Sequence, residues 1–373
     1  MDAVIIGGGA SGIACAIRLK QQFPECNVTV LEHLEEPCKK LHATGNGRCN
    51  ITNTAADGYD TTKAFFESIG LVLRESHEGR MYPYSNQAVS VVSVLKSACD
   101  RYHINIIGDC NVYKTDKMGE RFHIFSTKGV FVSDILVIAT GGQSQPSLGS
   151  DGSGYALVKS LGHTVTDLSP ALVQLSSSSR YCRHLKGVRT KCILTIEKNG
   201  QAEAAEYGEL LFADYGLSGI VTMDLSHFIS DEKLQSGEDR CVAVIDFVPD
   251  MTSEDLTRHF EAFGSLEGIL PSKLYNILSK QANNEPEKII QYAKTWRLII
   301  TGTKGYRYAQ ITKGGVPREE LTANNESTVQ PRLYIIGELT DNQFRCGGFN
   351  LDYAFSSGVR AADDIAAKYA AEQ

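Results

Sequence analysis

The sequence predicts an α/β fold in which both ends of the chain form one parallel sheet with helices on both faces, interrupted by an inserted domain. Three observations support this prediction. Residues 2–32 have the pattern strand, glycine turn, helix, strand. Short continuous apolar runs recur at 135–139 and 332–338, as expected for buried parallel strands. From residue 168 the sequence becomes alternating and polar.

The elements of the first domain follow from hydrophobic spacing. Residues 33–60 resemble a loop, and "AVSVVSVLKSACDRYH" at 88–103 has the spacing of a helix. Residues 104–142 predict several short strands in a β-meander, which ends in the buried strand 135–139.

The inserted domain is predicted at 168–305. Its first part, 168–250, alternates like an antiparallel sheet or small barrel, and its second part, 251–305, has helical spacing. The first domain, which is discontinuous, would then comprise 1–167 and 306–373. Its last element is a helix that starts near Leu351 and runs to the C-terminus.

Composition narrows the classes of function. The 373 residues are 42% apolar, and the net charge is 37 − 44 = −7, which argues against nucleic acid as the main partner. No apolar run is long enough to span a membrane, and a strand that starts near residue 2 leaves no room for a leader. We therefore expect a cytoplasmic protein. None of the ten cysteines forms a CxxC pair and no metal-ligand spacing occurs, so no metal site is predicted.

The segment "GGGASG" contains the G-x-G-x-x-G fingerprint of dinucleotide binding, placed between a strand and a helix as that motif requires. The first glycine makes a tight turn, the second admits a diphosphate, and the third allows close packing of helix on strand. An acid 20 residues after the last glycine suits a ribose hydroxyl. The residues assigned to this part of the cofactor are Gly7, Gly9, Ala10, Ser11, Gly12, Glu32 and His33.

Two later segments favour FAD over NAD. "ILVIATGG" and "YIIGE" each place a glycine turn after a buried strand. Here the sequence resembles the two-dinucleotide-binding-domain flavoproteins, which have an FAD/NAD(P)-binding Rossmann fold and close the FAD site with an "ATG" turn and a late "GD" motif. The resemblance implies that Glu338 replaces the aspartate that holds the ribityl chain. The residues assigned on this basis are Ala139, Thr140, Gly141, Gly337 and Glu338. No second fingerprint of correct spacing exists, so NAD(P)H would bind only transiently, as an electron donor.

Five segments, in order, resemble one bacterial flavoprotein family that includes 3-dehydro-bile-acid reductases and aminoacetone oxidases. They are "GNGRCNITN", "GRMYPYS", "LFADYGLSG", "TKGGV" and "GELTDNQFRCGGFNLDYAFSSG". The resemblance covers nearly the full chain and implies a Rossmann-type FAD domain with an inserted β-rich and helical domain. The sequence departs from the family at Cys38, Asp214, Arg345 and Cys346, close to where a substrate is expected.

The loop "CKKLHATGNGRCNITN" is predicted to approach the flavin. Its glycines would allow close backbone approach, and its polar side chains would orient flavin or substrate. The residues assigned here are Lys40, for the diphosphate, and Gly45, Asn46, Gly47, Arg48, Cys49 and Asn50. Cys49 is interpreted as a packing thiol, with a redox-active cysteine as the alternative. Arg48 could face flavin, substrate or an internal acid.

The start of the last helix is a second predicted flavin contact. Gly347, Gly348 and Asn350 would precede a helix beginning near Leu351, whose N-terminus would face the N1/O2 edge of the ring.

The predicted activity is the reduction of an activated C=C bond in a small molecule with electrons from NAD(P)H. Arg48, Tyr82, Tyr215 and Arg345 are the candidates for orienting the substrate or supplying a proton. Two alternatives remain open, an oxidase of a small amine such as aminoacetone and an FAD-binding protein without turnover. The substrate, the direction of the reaction and the oligomeric state are not determined by these patterns.

Overall fold

The computed structural model describes residues 1–369. Residues 370–373, which the sequence analysis included in the closing helix, lie outside the described part. The chain divides into two compact units, Met1–Leu168 with the described residues from Ile311 onward, and Ser169–Gln310. The sequence analysis had placed these boundaries at 167/168 and 305/306.

The regular elements of the described residues are numbered in chain order. The strands are β1 (Asp2–Ile6), β2 (Asn27–Leu31), β3 (Thr52–Asn53), β4 (Leu73–Glu75), β5 (Arg80–Pro83), β6 (Asn105–Ile107), β7 (Val112–Met118), β8 (Arg121–Ser126), β9 (Gly129–Ser133), β10 (Ile135–Ile138), β11 (Ser169–Ala171), β12 (Leu175–Ser177), β13 (Arg189–Lys198), β14 (Gln201–Ala213), β15 (Gly216–Ser218), β16 (Cys241–Asp246), β17 (Trp296–Thr303), β18 (Ile311–Lys313) and β19 (Leu333–Ile335). The α-helices are α1 (Ala10–Gln22), α2 (Lys39–Ala43), α3 (Tyr59–Ser68), α4 (Ala88–Arg101), α5 (Ser153–Ser160), α6 (Arg180–His184), α7 (Ile220–Leu225), α8 (Asp231–Ser236), α9 (Ser253–Phe263), α10 (Ser272–Gln281), α11 (Pro286–Thr295) and α12 (Phe349–Tyr369).

A parallel five-stranded sheet in the order β19-β10-β1-β2-β6 forms the centre of the first unit. Ile5 in β1 pairs with Val30 on one side and with Val137 on the other. All residues of β10 and β19 are buried, as are the four apolar residues of β1, because both faces of the sheet are covered there. The predicted fold class, a Rossmann-type domain with an inserted β-rich domain, is confirmed.

Residues 33–83 contain more regular structure than the predicted loop. A short helix, α2, the longer helix α3 and the three-stranded antiparallel sheet β3-β5-β4 occur here. The prediction of a loop at 33–60 is therefore wrong for α2, for β3 and for the start of α3. These elements are short, so their hydrophobic spacing is too brief to distinguish them from a loop. The predicted meander occurs as the antiparallel sheet β7-β8-β9.

The second unit contains a closed barrel in the order β12-β15-β14-β13-β16-β17, together with helices α9 to α11. The prediction that 251–305 is helical is wrong for its last part, where β17 closes the barrel against β12 and β16. Trp296, Leu298 and Ile300 are buried, whereas Arg297 and Ile299 between them are exposed. This alternation of period two is typical of a strand. The sequence analysis nevertheless extended the helix, because the apolar residues of β17 follow α11 with no intervening turn residues.

No helix among residues 1–369 is long and apolar enough to cross a membrane.

The two faces of β17 provide a test of the barrel. Leu298 is 2% exposed and Ile299 is 50% exposed. Because Leu298 fills the barrel core, Leu298→Ala should lower the free energy of unfolding by about 2–5 kcal/mol. Ile299→Ala, the control, should change it by about 0.5 kcal/mol or less. Trp296 is the one tryptophan of the sequence, so its fluorescence in urea monitors this unit directly. Equal effects of the two changes would contradict the strand.

Candidate functional site

Three glycines of the turn after β1 have different roles. A Cβ on Gly7 would lie 2.4 Å from the carbonyl oxygen of Ala139, and one on Gly12 would lie 2.0 Å from that of Gly7. Both positions therefore need glycine for close packing. A Cβ on Gly9 would meet nothing within 4 Å, so the open space expected for a diphosphate lies at the second glycine.

The N-terminus of α1 faces this space without a protein cap. Gly9 is the N-cap residue, no side chain caps the helix, and its first turn, which contains Ala10 and Ser11, holds no acid. The first N–H groups of a helix lack intrahelical partners and attract anions. Ser11 points elsewhere, since a Cβ on Gly337 would lie 2.5 Å from its Oγ. The diphosphate of a dinucleotide would supply the missing cap.

Glu32, at the end of β2, is held beside the glycine turn. Its Oε2 accepts a hydrogen bond from the N–H of Gly8 at 2.7 Å, and its Oε1 accepts one from Leu34 at 2.9 Å. His33 Nδ1 lies 3.5 Å from Oε1. The side chain is nearly buried, and the two N–H groups fix its orientation. A carboxylate has further lone pairs that can accept bonds from ribose hydroxyls.

The turn after β10 and the segment after β19 meet at Glu338. Its Oε1 accepts a hydrogen bond from the N–H of Thr312 at 2.9 Å, and a Cβ on Gly142 would lie 2.7 Å from the same oxygen. Its Oε2 pairs with Lys40 Nζ at 2.9 Å. Lys40, assigned to the diphosphate, and Glu338, assigned to the ribityl chain, thus contact each other. Thr140 Oγ1 is buried with no hydrogen-bond partner and lies against α5, since a Cβ on Gly154 would be 1.8 Å away.

The loop 38–53 combines exposed polar residues with a buried thiol. Gly45, Asn46 and Cys49 have positive φ, so the loop makes consecutive tight turns. Asn46 and Gly47 are exposed. Cys49 is fully buried, and burial raises the pKa of its thiol to about 11. The sulfur is therefore protonated at neutral pH, which fits a packing role better than a redox role.

Arg48 contacts an aromatic ring and no carboxylate among the described residues. Its Cζ lies 4.9 Å from the centroid of the Tyr82 ring, and its Nε donates to the carbonyl oxygen of Gly45 at 3.3 Å. Tyr82 is buried in β5, whereas Arg48 is exposed. Of the three predicted partners for Arg48, an internal acid is therefore wrong. The guanidinium keeps donors for an external oxygen.

The start of α12 differs from the prediction. The helix begins at Phe349, so Asn350 and Leu351 lie inside it and Asn350 does not precede it. The side chain of Asn350 closes the preceding loop, accepting from the N–H of Phe344 at 3.0 Å and donating to its carbonyl oxygen at 2.8 Å. The prediction is wrong here because an Asn after two glycines resembles a helix cap. Gly347 and Gly348 do precede the helix, both with positive φ.

Loop 38–53 and the start of α12 lie together. Asn53 Nδ2 donates to the carbonyl oxygen of Gly347 at 3.1 Å, and a Cβ on Gly348 would lie 2.6 Å from that of Thr52. Asn50 Oδ1 lies 3.0 Å from the same Cβ position and is buried with no hydrogen-bond partner. The two predicted flavin contacts therefore converge, and one unsatisfied acceptor remains for a ring N–H.

Asp352 is a structural residue of the site that the sequence analysis missed. It is 2% exposed, its Oδ1 accepts from Thr52 Oγ1 at 2.6 Å, and its Oδ2 accepts from the N–H of Gly58 at 3.0 Å. Burial raises the pKa of this carboxyl, although both hydrogen bonds oppose the rise. The only signal in the sequence is an acid on the apolar face of a helix. Its partners are some 300 residues away, where no local pattern can identify them.

The remaining candidates lie apart in the chain. Arg345 is in the loop before α12, with its Cζ 4.9 Å from the Phe349 ring. Tyr215 belongs to the second unit, between β14 and β15, where Lys304 Nζ lies 4.8 Å from its ring centroid. Burial raises the pKa of Tyr215, so its phenol stays protonated at neutral pH. The structure thus brings Arg48 and Tyr82 together, and it places Tyr215 in a separate unit.

Residues from four strand ends and two loops of the first unit fit FAD. The uncapped helix and the space at Gly9 suit the diphosphate, Glu32 suits a ribose, and the unpartnered Asn50 Oδ1 can accept a hydrogen bond. No group of three potential metal ligands occurs in residues 1–369.

Replacement of Gly9 tests the diphosphate site. Gly9→Val should fold, because a Cβ there meets no protein atom, but it should lose bound flavin because its side chain fills the ligand space. Flavin absorbance per protein and the melting temperature measure the two effects. Gly268→Val in the second unit, where a Cβ would meet only His259 Nε2 at 3.9 Å, is the control and should retain flavin. Full flavin content in Gly9→Val would refute the assignment.

Removal of the Asp352 carboxylate tests whether its hydrogen bonds to Thr52 and Gly58 stabilise the packing of α12 against residues 52–58. Asp352→Ala leaves the buried Gly58 N–H without its acceptor and leaves the Thr52 hydroxyl only a long bond of 3.5 Å to the Asn53 carbonyl oxygen, so stability should fall by about 2–4 kcal/mol. Urea unfolding measures the change. Asp363→Ala on the same helix removes a half-exposed partner of Arg18 and should cost about 1 kcal/mol or less. A loss at Asp352 no larger than that at Asp363 would contradict this role.

The sequence of this chain is similar to one protein-family model and to proteins of known name. The family model described as HI0933-like protein Rossmann domain matches residues 1–60 and 57–364. The 3-dehydro-bile acid delta(4,6)-reductase of Clostridium scindens is 35% identical, over 96% of this chain and 97% of that protein. The ribosomal RNA dihydrouridine synthase of Escherichia coli is 28% identical, over 98% of each chain.

Two solved structures share the fold. A 3-ketosteroid delta1-dehydrogenase from Sterolibacterium denitrificans is 12% identical with a TM-score of 0.56, covering 98% of this chain and 99% of that one. A flavocytochrome c3 fumarate reductase in an open conformation is 14% identical with a TM-score of 0.53, covering 98% and 78%.

Proposed function

Because the chain belongs to the HI0933-like family and is an FAD-dependent oxidoreductase, we propose that it reduces a C=C bond conjugated to a carbonyl group. The proposal rests on one observation: the names of two relatives describe reductions of the same type of bond. A delta(4,6)-reductase of a 3-dehydro bile acid reduces double bonds that are conjugated with a ketone. A dihydrouridine synthase saturates the uracil C=C bond, which is also conjugated to a carbonyl.

Bound flavin, reduced by transiently bound NAD(P)H, would supply a hydride to the carbon β to the carbonyl. The protein must then stabilise negative charge on the carbonyl oxygen and provide a proton to the α carbon. Donors held in place for a developing oxyanion are commonly the largest contribution of a protein to such a step.

Arg48 suits the oxyanion role. Its guanidinium is exposed, carries a permanent charge and is oriented by the Tyr82 ring and by one backbone carbonyl. These contacts use little of its hydrogen-bonding capacity, because a guanidinium has five N–H donors. We propose that Arg48 binds the carbonyl oxygen of the substrate, and that Tyr82 fixes the plane of the guanidinium.

The proton donor has two candidates. Tyr215 carries a phenol, which is protonated at neutral pH and can donate a proton, and burial raises its pKa further. Arg345 also carries donors, but it stays charged and transfers no proton at neutral pH. Tyr215 and Arg345 therefore both stay candidates, Tyr215 for supplying a proton and Arg345 for orienting the substrate.

A second candidate function is the reduction of a pyrimidine in RNA. Two relatives carry the name ribosomal RNA dihydrouridine synthase, and each aligns over 98% of this chain. The net charge of −7 favours a small substrate instead, since RNA phosphates need basic contacts. The prediction that no nucleic acid is bound stays a prediction, as does the cytoplasmic location.

Anaerobic half-reactions test the proposal. NADH or NADPH should bleach the bound flavin, and a 3-oxo-4,6-diene bile acid should restore its colour, whereas the saturated 3-oxo compound should not. Bleaching by aminoacetone, with peroxide formed in air, would instead support an amine oxidase. Dihydrouridine in ribosomal RNA incubated with the enzyme, without reduction of the steroid, would support the RNA function.

Arg48→Met retains the length of the side chain and removes its charge. If Arg48 binds the carbonyl oxygen, kcat should fall by about 100-fold with flavin content unchanged. Arg74→Met is the matched control, because Arg74 is also exposed and stacks on Tyr84 at 5.5 Å. Equal activity of the two variants would exclude Arg48 from this role.

A further inference from the structure

A polar cleft with two arginines lies in the first unit, between α12 and the segment 318–325. Its volume is 230 Å³. The residues that line it include no Asp or Glu. The polar lining consists of Arg318, Thr322, Asn325, Asn342, Tyr353 and Arg360. We call it the arginine cleft.

Two carboxylates follow Arg318 directly, the exposed Glu319 and then Glu320, and neither forms an ion pair with it. Glu320, two residues later, lies 2.7 Å from His163 Nδ1 and accepts a hydrogen bond from the N–H of Thr164 at 3.0 Å. These bonds lower the pKa of Glu320, although burial opposes the shift, so it is ionised at neutral pH. They also tie the segment that carries Arg318 to the end of α5, which leaves Arg318 without a described carboxylate within ion-pair distance.

Arg360 on α12 likewise forms no ion pair with a described carboxylate. Asp364, one helical turn later, pairs with Lys368 at 2.7 Å and accepts from the Tyr334 hydroxyl at 2.7 Å. Arg360 lies with its Cζ 5.9 Å from the Tyr353 ring and makes no ion pair with a described carboxylate. Two guanidinium groups therefore line one cleft without an ion pair to a described carboxylate. The charge of Arg360 acts on buried Asp352, where it opposes the rise in the pKa of that carboxyl.

The other polar groups of the cleft satisfy one another. The Tyr353 hydroxyl accepts hydrogen bonds from Asn342 Nδ2 at 2.9 Å and from Asn325 Nδ2 at 3.2 Å. It also lies 3.0 Å from Thr340 Oγ1. The cleft wall is thus ordered by its own hydrogen bonds, and the guanidinium N–H groups are the donors left for a ligand.

From this arrangement we propose that the arginine cleft binds the phosphate group of a small molecule. A phosphate carries a charge of about −1.5 to −2 at pH 7, enough to neutralise both arginines, whereas one carboxylate neutralises only one. Its oxygens also match the fork of N–H donors on a guanidinium. The cleft is smaller than a typical pocket for a whole drug-sized ligand, so it suits a free phosphate or the phosphorylated end of a larger molecule.

Calorimetric titration of the flavin-loaded full chain with inorganic phosphate tests this site, with chloride at matched ionic strength as the background. We expect saturable binding to one site. Arg318→Ala and Arg360→Ala should each weaken it by about 10- to 100-fold, because each removes charge-assisted hydrogen bonds. Arg101→Ala removes an equal charge from the exposed end of α4 and should leave binding unchanged. A second titration, with glycerol phosphate, separates the sources, since tighter binding than inorganic phosphate assigns a phosphate monoester.

Flavin absorbance and the melting temperature of each variant establish that it is folded. The proposal is refuted if the wild-type chain gives no saturable binding of either phosphate compound. It is also refuted if Arg101→Ala weakens binding as much as the two cleft variants do, because only the overall charge would then matter. Neither result depends on the reaction that the flavin carries out.

Discussion

The structure of the first unit depends on the close approach of backbones at the carboxyl ends of its parallel strands. Gly7 touches the turn after β10, Gly12 touches Gly7, and Gly337 lies against the Ser11 side chain. On the other side of α1, a Cβ on Gly358 of α12 would lie 2.3 Å from the carbonyl oxygen of Ser11. Any side chain at these positions would separate helix from strand or helix from helix. The uncapped N-terminus of α1 is thereby held at one place relative to every other part of the site.

The polar groups around this point are held by bonds between distant segments. Glu32 is bound to the glycine turn, Glu338 to the backbone at Thr312, and Asp352 to loop 38–53 and to the turn before α3. Such cross-links orient the side chains before any ligand binds, which lowers the entropic cost of binding. The same cross-links explain why only a few buried acceptors, such as Thr140 Oγ1 and Asn50 Oδ1, remain without partners.

The two proposed substrates, a steroid enone and a uracil ring, would need the same chemical assistance from the protein. Each needs a hydride acceptor carbon beside a carbonyl whose oxygen becomes negatively charged. In the role proposed for Arg48, an exposed arginine oriented by an aromatic ring would meet that requirement without regard to the rest of the substrate. Recognition of the rest of the substrate would then depend on other residues.

The sequence by itself determined the fold class, the glycine fingerprint, the acid at the end of β2 and the glycine turns after β10 and β19. These features are local, because each depends on residues adjacent in the chain that form a strand and its following turn. It did not determine that residues 296–303 form a strand, because the partners that make this segment a strand, β12 and β16, are distant in sequence. Tertiary structure also decided the contact of Arg48 with Tyr82, the pairing of Lys40 with Glu338 and the burial of Asp352. Each joins side chains separated by 30 to 300 residues, and no local spacing encodes such a distance.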